Sequence, residues 1–448
     1  MTVLLFAVLG YVAVQLGIGI WVGRRVRTQE DYLLGGRKLG PALATFTVFA
    51  TWFGAEACLG AAGAIYRDGL AGATADPFGY ALCLLLMGVV FAAPLWASRV
   101  ITLADLLRKR FSPAVERLAV LLLVPSSLLW AAAQIRAFGQ VLSASSQLEV
   151  SWTMTIAAIV VIAYTATGGL LADAITDVVQ GLVLMLGLLW LFAAVMSDSG
   201  GVIVALSSVD ATRVDLVPDD MPLLTIMDRW AIPILGSVVA QELVSRVCAS
   251  RSGAVARGAT FTGAGLYLIM GLVPVILGLL GPQLVPGLLE PEQLLPRLAE
   301  RQLGSIGYVM FAGALVSAIL STVDSALLAA GAYLSQNLLF RLIPEQRAAT
   351  KVAMSRACVI TCGVIAYVLA LRSDDIRSLV VEASGFASAG VFVVVSFALF
   401  SQRNNAVAAG AALVTGAVLG WATSHVVAML VSLAVFLLAD ELSRRRQR

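Results

Sequence analysis

Runs of about 20 apolar residues recur from one end of this 448-residue chain to the other. Each run is long enough to cross the hydrocarbon core of a bilayer as an α-helix, and helices satisfy their own backbone hydrogen bonds there. Of all residues, 60% are hydrophobic and 13% are charged, whereas a soluble domain is typically about 45–50% apolar and about 25% charged. The sequence therefore predicts an all-α polytopic membrane protein without a sizeable soluble domain.

The loops between these runs indicate how the chain crosses the membrane. Alternate loops are basic, as cytoplasmic loops of membrane proteins are, whereas the long loop 198–222 is acidic. We therefore predict about 13 spans with the N-terminus outside and the C-terminus inside, and 11 spans would require that two weak runs do not cross. The predicted spans are residues 3–22, 41–66, 76–98, 117–146, 151–167, 174–197, 223–248, 258–281, 305–340, 352–371, 377–401, 405–423 and 425–440. The basic residues assigned to inside loops include Arg24, Arg25, Arg27, Arg37, Lys38, Arg108, Lys109, Arg110, Arg117, Arg246, Arg251, Arg257, Arg341, Arg347, Lys351 and Arg403.

Two predicted spans contain helix-breaking residues in their interiors. Span 41–66 carries Gly54, and span 223–248 carries Pro233 and Gly236. Interrupted helices at corresponding positions of two halves are typical of transporters built from inverted repeats. The predicted organisation is an extra helix and cytoplasmic loop at 1–40, a first five-helix repeat at 41–197, an extracellular loop at 198–222, a second, inverted repeat at 223–401, and two C-terminal helices with a basic tail at 402–448.

The run SAILSTVDSALL places polar side chains inside a predicted span. Ala318, Ser321, Thr322 and Ser325 are spaced so that they share one helix face, which Asp324 borders. Small residues and hydroxyls also serve close helix packing. A carboxylate at a helix centre, however, costs about 2.5–3.5 kcal/mol on insertion and is by default a functional candidate. We therefore predict a Na⁺ or H⁺ site on this face, and packing is the alternative for the hydroxyls.

Charged residues also occur in other predicted spans. Asp177 lies near the cytoplasmic start of span 174–197, where it either interacts with the helix dipole or binds an ion. Glu56 and Glu242 lie in the two interrupted spans, and Arg136 lies in a third. These three either pair with one another between helices or contact an ion or solute.

Three aromatic residues, Trp52, Tyr80 and Trp130, lie deeper than an interfacial belt of aromatic residues predicts. They either pack in the core or form a stacking surface for a ligand. The second interpretation includes a cation, because ring faces attract positive charge.

The segments FATWFGAEACLGAAG, YTATGGLLADAITDVVQG and SAILSTVDSALL resemble the sodium:solute symporter family, and the similarity runs in order over most of the chain. The resemblance implies a LeuT-type core of two five-helix inverted repeats, with one helix before it and two after it. It also implies sodium-coupled symport of a small organic solute by alternating access. Sodium would be the coupling ion, with no other cofactor.

The resemblance further implies a sodium site at the break of span 41–66. The backbone carbonyls of Ala50, Phe53 and Ala318 and the hydroxyls of Ser321 and Thr322 would be its ligands. All five positions match the family pattern in residue type.

Some members of the family resemble a second-cation arrangement that corresponds here to Asp177, Ser321, Asp324 and Ser325. Asp324 stands where that arrangement has a serine. A second sodium ion and a proton are therefore both open.

Within the family, TWFG, FGYALCL, LWAAA and STVDSALL are most similar to choline- and proline-transporter-like members. The similarity implies a cage of aromatic side chains for a quaternary ammonium group, with Ala240 where those members have a further tryptophan. The open side of the cage and the nearby polar residues favour an amino acid, a betaine- or choline-like compound or another zwitterion. The residues predicted to bind the solute are Trp52, Glu56, Tyr80, Trp130, Gln134, Gln241 and Glu242.

Other classes of function are a symporter of a monocarboxylate or other solute, and a non-transporting sensor or receptor on the same fold. A receptor usually requires an attached signalling domain, whereas the basic tail ends at Arg448. An enzyme is not expected, because the sequence contains neither HExxH nor GxSxG and has a single histidine, His425.

The expected partners are a small-molecule solute, the sodium ion and the lipid bilayer. A net charge of +3 is too small to indicate a nucleic acid. The expected location is the plasma or inner membrane, as a multi-pass protein, and the absence of an N-x-[ST] sequon is consistent with a bacterial source.

Overall fold

The structure is a computed structural model that describes residues 2–146, 148–218, 221–343, 347–373, 379–380, 383, 385 and 387–447. Helices dominate this part of the chain, and the one β-bridge within it joins Leu39 to Ser250. The α-helices are α1 (Thr2–Gly23), α2 (Gln29–Leu34), α3 (Pro41–Trp52), α4 (Ala61–Asp68), α5 (Tyr80–Leu86), α6 (Ala92–Ser98), α7 (Leu103–Arg110), α8 (Pro113–Ser146), α9 (Val150–Asp198), α10 (Val202–Ser207), α11 (Leu223–Ala231), α12 (Gln241–Ala249), α13 (Gly253–Leu284), α14 (Leu294–Gln302), α15 (Gly304–Ala332), α16 (Phe340–Leu342), α17 (Ala348–Arg372), α18 (Ser388–Phe400), α19 (Ala406–Ala422) and α20 (His425–Gln447).

The predicted all-α membrane architecture is confirmed by these helices. Within the described residues, 7 helices are long and apolar enough to cross a membrane, or 8 if the bent pair Leu223–Val239 and Gln241–Ala249 is one span. Span 377–401, with Glu382, lies partly outside the described residues. The number of spans, the orientation and the repeat boundaries stay predictions.

The long helix α9 contains two predicted spans, 151–167 and 174–197, and Gly169 marks the break between them. Its φ of 67° lies in the left-handed region, which glycine adopts readily. A Cβ at this position would also lie 2.7 Å from the carbonyl oxygen of Tyr32. Glycine is therefore required both by the backbone conformation and by the close approach of α2.

The first predicted interruption is present after α3. Phe53 leaves the helical region, with φ −89° and ψ 63°. The chain then passes through a wide helical turn, Glu56–Gly60, into α4. A Cβ on Gly54 would lie 2.5 Å from Oγ1 of Thr322, so the absence of a side chain lets this break lie directly against α15.

The second predicted interruption is present between α11 and α12. Ala240 is extended, with φ −66° and ψ 131°, and the two parts of the span are bent by 46°. Pro233 lies at the start of a wider turn that precedes the break, consistent with the missing N–H of proline.

Helix α15 forms the centre of the molecule. It packs against α8, α9 and α17, and its residues from Ala314 to Ala332 are all buried. The polar residues of SAILSTVDSALL are therefore held in the interior between α3, α9 and α12 rather than facing lipid.

Arg246 departs from the expectation for a loop residue. It lies in the last turn of α12 and is only 1% exposed. The reason is an ion pair with Asp173 of α9. A basic residue near the end of a predicted span is thus part of the protein interior.

Candidate functional site

Asp177 of α9 connects three helices. It is fully buried and accepts hydrogen bonds from the hydroxyls of Thr47 in α3 and Ser321 in α15. It also lies two turns beyond the break at Gly169, whereas the helix dipole acts within the first turn. The role of a first-turn acid is therefore wrong for Asp177, which instead joins α3 to α15 through hydrogen bonds.

Asp173 lies one turn before Asp177 and pairs with Arg246, and both side chains are at most 2% exposed. The Arg246 guanidinium also donates to the hydroxyl of Ser325, which donates to the carbonyl of Ser321 at 2.9 Å. A buried ion pair is stable only if its remaining hydrogen-bonding groups are satisfied. This pair ties α9 and α12 to the polar face of α15.

Asp324 of α15 is bonded to another residue of α9. Its Oδ1 accepts a hydrogen bond of 2.5 Å from the hydroxyl of Thr165 in α9. Asp177, Asp324 and Ser325 of the predicted second cation site are thus all buried in one region, but each is bonded to a different protein group. Asp177 is bonded to Ser321 and Thr47, Asp324 to Thr165, and Ser325 to Arg246.

The residues predicted to bind sodium lie at the end of α3 and on α15. Ala50 and Phe53 are buried at the α3 break, and Ala318, Ser321 and Thr322 are buried on the helix that packs against it. The Thr322 hydroxyl donates to the Ala318 carbonyl at 3.2 Å. Carbonyls of unwound backbone and helix hydroxyls together supply the oxygen atoms that bind Na⁺ in discontinuous transporter helices.

The three predicted aromatic residues form one cluster. The ring centroids of Trp52 and Trp130 are 6.4 Å apart, and Tyr80 meets Trp130 edge-on, also at 6.4 Å. These spacings lie within the range of aromatic pairs. The cluster adjoins the α3 break, because Trp52 directly precedes Phe53. Within the described residues, Nε1 of Trp52 is buried without a hydrogen-bond partner.

Glu56 and Gln134 lie together beside this cluster. Nε2 of Gln134 donates to Oε2 of Glu56 at 2.8 Å, and the backbone N–H of Ala55 donates to Gln134 at 3.4 Å. Glu56 and Tyr80 line a cavity of about 300 Å³ between α4, α5 and α11. This volume suits a small organic molecule.

The structure places the other two predicted solute residues elsewhere. Gln241 accepts from the N–H of Leu103 at 3.0 Å and donates to the carbonyl of Ile101 at 3.1 Å, so it holds the start of α7. Glu242 accepts from the hydroxyl of Ser127 in α8 at 2.8 Å. Neither lines the cavity that contains Glu56.

Arg136 lines a second cavity, of about 1040 Å³, between α4, α8 and α15. It donates to the carbonyl of Ala370 in α17 at 3.3 Å. This larger cavity adjoins the one beside the aromatic cluster, because Leu59, Gly60, Ala64 and Glu292 line both, but Arg136 lines only the larger one.

Sequence reasoning missed Thr47, Thr165, Asp173 and Arg246. Asp173 carried a usable signal, because it precedes Asp177 by four residues and therefore shares its helix face. Thr47 and Thr165 carried no such signal in the sequence, since isolated threonines are frequent in membrane helices, where they serve packing.

Comparison with known proteins identifies relatives over most of the chain. A model of the Sodium:solute symporter family matches residues 32–416. The chain is 29% identical over 385 residues to High-affinity choline transporter 1 of Drosophila melanogaster, and this alignment covers 81% of this chain and 61% of the relative. It is 28% identical over 441 residues to the human High affinity choline transporter 1, covering 92% of this chain and 75% of the relative. It is 25% identical over 426 residues to the Sodium/pantothenate symporter of Escherichia coli, covering 91% and 88%.

Among solved structures, the chain is similar to a substrate-bound, outward-open Na⁺-coupled sialic acid symporter. The TM-score is 0.84 at 17% identity, and the match covers 98% of this chain and 97% of the other. At this identity the likeness shows the fold alone. The predicted LeuT-type fold is confirmed.

Proposed function

Because the chain belongs to the sodium:solute symporter family and sodium is its coupling ion, we propose that its solute is a small organic cation or zwitterion that carries an ammonium group. One observation carries this proposal: the aromatic cluster of Trp52, Tyr80 and Trp130 adjoins a cavity lined with carboxylates. Aromatic ring faces and carboxylates both attract a cation. The charged residues that line the cavity are Glu56, Asp68, Asp76, Asp228 and Glu292, with Arg229 as the basic member.

The sodium ion binds, in this proposal, between the break after α3 and α15. Its ligands are the carbonyls of Ala50, Phe53 and Ala318 and the hydroxyls of Ser321 and Thr322. The close contact of Gly54 with Thr322 supports this assignment, because it brings the unwound backbone against the Thr322 hydroxyl. Sodium would fix the distance between α3 and α15 and hence the position of Trp52, which is how ion binding prepares the solute site for alternating access.

A second cation, a sodium ion or a proton, would bind near Asp177 and Asp324. Compared with Asp177 and Asp324, Ser325 is the less available ligand, because the Arg246 guanidinium already donates to its hydroxyl. The number of ions sets the concentrating power. One charge that moves inward across 100 mV releases about 2.3 kcal/mol, which sustains roughly 40–50-fold accumulation per sodium ion.

We place the protein in the plasma membrane of a bacterium, with its apolar helices in contact with lipid. The apolar spans and the bacterial relative support this location. The pantothenate relative makes a monocarboxylate the competing class of solute.

The class of solute is tested by thermal unfolding of the purified protein with choline, glycine betaine, ethanolamine, glycine, proline or pantothenate, each with sodium or with potassium. A ligand present at 100 times its dissociation constant stabilises the folded state by about 2.7 kcal/mol. We expect an ammonium compound to raise the unfolding temperature, and more so in sodium. If pantothenate stabilised the protein and none of the ammonium compounds did, this result would contradict the proposal, because pantothenate has a carboxylate and no ammonium group.

A further inference from the structure

We propose that Glu56 selects a solute whose ammonium group carries N–H donors, that is, a primary or secondary amine rather than a quaternary one. This inference rests on the proposed function, since it names the class of amine that the same site prefers. Glu56 is thereby a specificity-determining residue.

The hydrogen bonds of the Glu56 carboxylate carry the argument. The side chain is 7% exposed, and its Oε2 accepts from Gln134 at 2.8 Å. Its Oε1 is buried and has no hydrogen-bond partner among the residues that the structure describes. The residue lines the cavity together with Tyr80. One carboxylate oxygen at the solute cavity therefore has no donor from the residues that the structure describes, and a solute N–H can supply one.

The second carboxylate deep in this cavity differs from the first. Oδ1 of Asp76 accepts from the hydroxyl of Tyr267, which ties it to α13. Asp76 is buried and adds negative charge to the same space as Glu56. Both carboxylates attract a cation, but the unpartnered buried oxygen belongs to Glu56.

The aromatic cluster does not discriminate between amines in this way. A ring face attracts primary and quaternary ammonium groups alike, because the attraction is to charge. A carboxylate oxygen requires a hydrogen donor, and a quaternary nitrogen has none. Sites that hydrogen-bond a solute group reject analogues lacking that group far more strongly than apolar pockets reject a change in size. Discrimination by degree of methylation therefore points to Glu56 and not to the rings.

Two series of ligands that differ only in N-methylation test the inference. They are ethanolamine, N-methylethanolamine, N,N-dimethylethanolamine and choline, and glycine, sarcosine, N,N-dimethylglycine and glycine betaine. Dissociation constants are measured by thermal shift in saturating sodium for the wild type, Glu56→Gln and Asp68→Asn. Asp68 is the matched control, because it bears the same charge at the rim of the cavity and faces Arg67 at 3.3 Å.

In the wild type we expect the primary or secondary amine to bind at least about tenfold more tightly than the quaternary member, which is the effect of one charge-assisted hydrogen bond. In Glu56→Gln the ratio of the dissociation constants of the quaternary and the primary or secondary amine should fall below about threefold. In Asp68→Asn the order of affinities within each series should stay as in the wild type.

Three results would overturn the inference. Equal or tighter binding of the quaternary member by the wild type contradicts it while leaving the proposed function intact, and this result does not depend on any variant. A wild-type order retained in Glu56→Gln, or lost equally in Asp68→Asn, shows that the hydrogen bond to Glu56 is not responsible. Binding of no member of either series overturns both this inference and the proposed ammonium solute.

Discussion

Replacing Gly54 with alanine perturbs the contact on which the proposed sodium site depends. The new Cβ would lie 2.5 Å from Oγ1, 3.1 Å from Cβ and 3.2 Å from Cγ2 of Thr322. Real Cβ atoms do not approach other atoms to less than 3.0 Å, so either α15 or the α3 break must move. The Thr322 hydroxyl has little room to retreat, because residues 314–332 of α15 are buried and packed.

The cost of such overpacking is typically about 1–3 kcal/mol. In the proposed site, sodium bound between α3 and α15 requires the undisturbed contact, so this cost would fall on the sodium-bound state. A free-energy cost of this size corresponds to a loss of about 5- to 150-fold in sodium affinity. We expect the sodium concentration for half-maximal uptake by proteoliposomes, and for half-maximal thermal stabilisation, to rise by a factor in this range.

Gly313→Ala is the matched control. Gly313 lies on the same helix as Thr322, and a Cβ there meets no atom within 4 Å. Adding Thr322→Ala to Gly54→Ala removes two of the three crowded atoms, so thermal stability should recover while the sodium response stays weak. If Gly54→Ala responds to sodium as Gly313→Ala does, then the break does not form part of the site.

Two further predictions concern the buried carboxylates. Asp173→Asn leaves the Arg246 guanidinium buried without its anion, so we expect a loss of about 3–5 kcal/mol in unfolding free energy. The double variant Asp173→Asn with Arg246→Met should lose less unfolding free energy than the sum of the two single variants. Strict additivity of the losses would refute the pairing. Asp324→Asn should change the ratio of charge moved to solute moved, measured from reversal potentials in proteoliposomes. An unchanged ratio would make Asp324 a structural partner of Thr165 only.

Features that depend on local sequence were predictable. The break after α3 followed from Gly54, and the bend before α12 followed from the breakers Pro233 and Gly236, although the extended residue itself is Ala240. The polar face of α15 followed from residue spacing alone. Local chemistry fixes such features, because helix breakers and helical periodicity act within a few residues.

Features that depend on tertiary contacts were not predictable. Arg246 has the sequence signature of a cytoplasmic basic residue, and only the approach of α9 shows that it is buried against Asp173. Gln241 was predicted to bind the solute, yet its side-chain amide is bonded to the backbone of Ile101 and Leu103 at the start of α7. In both cases the partner is distant in sequence, and no local pattern identifies it.

The double variant Ser321→Ala with Thr322→Ala tests most directly whether sodium binds between the α3 break and α15. It removes both proposed hydroxyl ligands and leaves the carbonyls of Ala50, Phe53 and Ala318 in place. Sodium-dependent uptake by proteoliposomes is measured against the amount of folded transporter. We predict that the sodium concentration for half-maximal uptake rises far more than protein abundance falls. An unchanged sodium dependence would show that the coupling ion binds elsewhere.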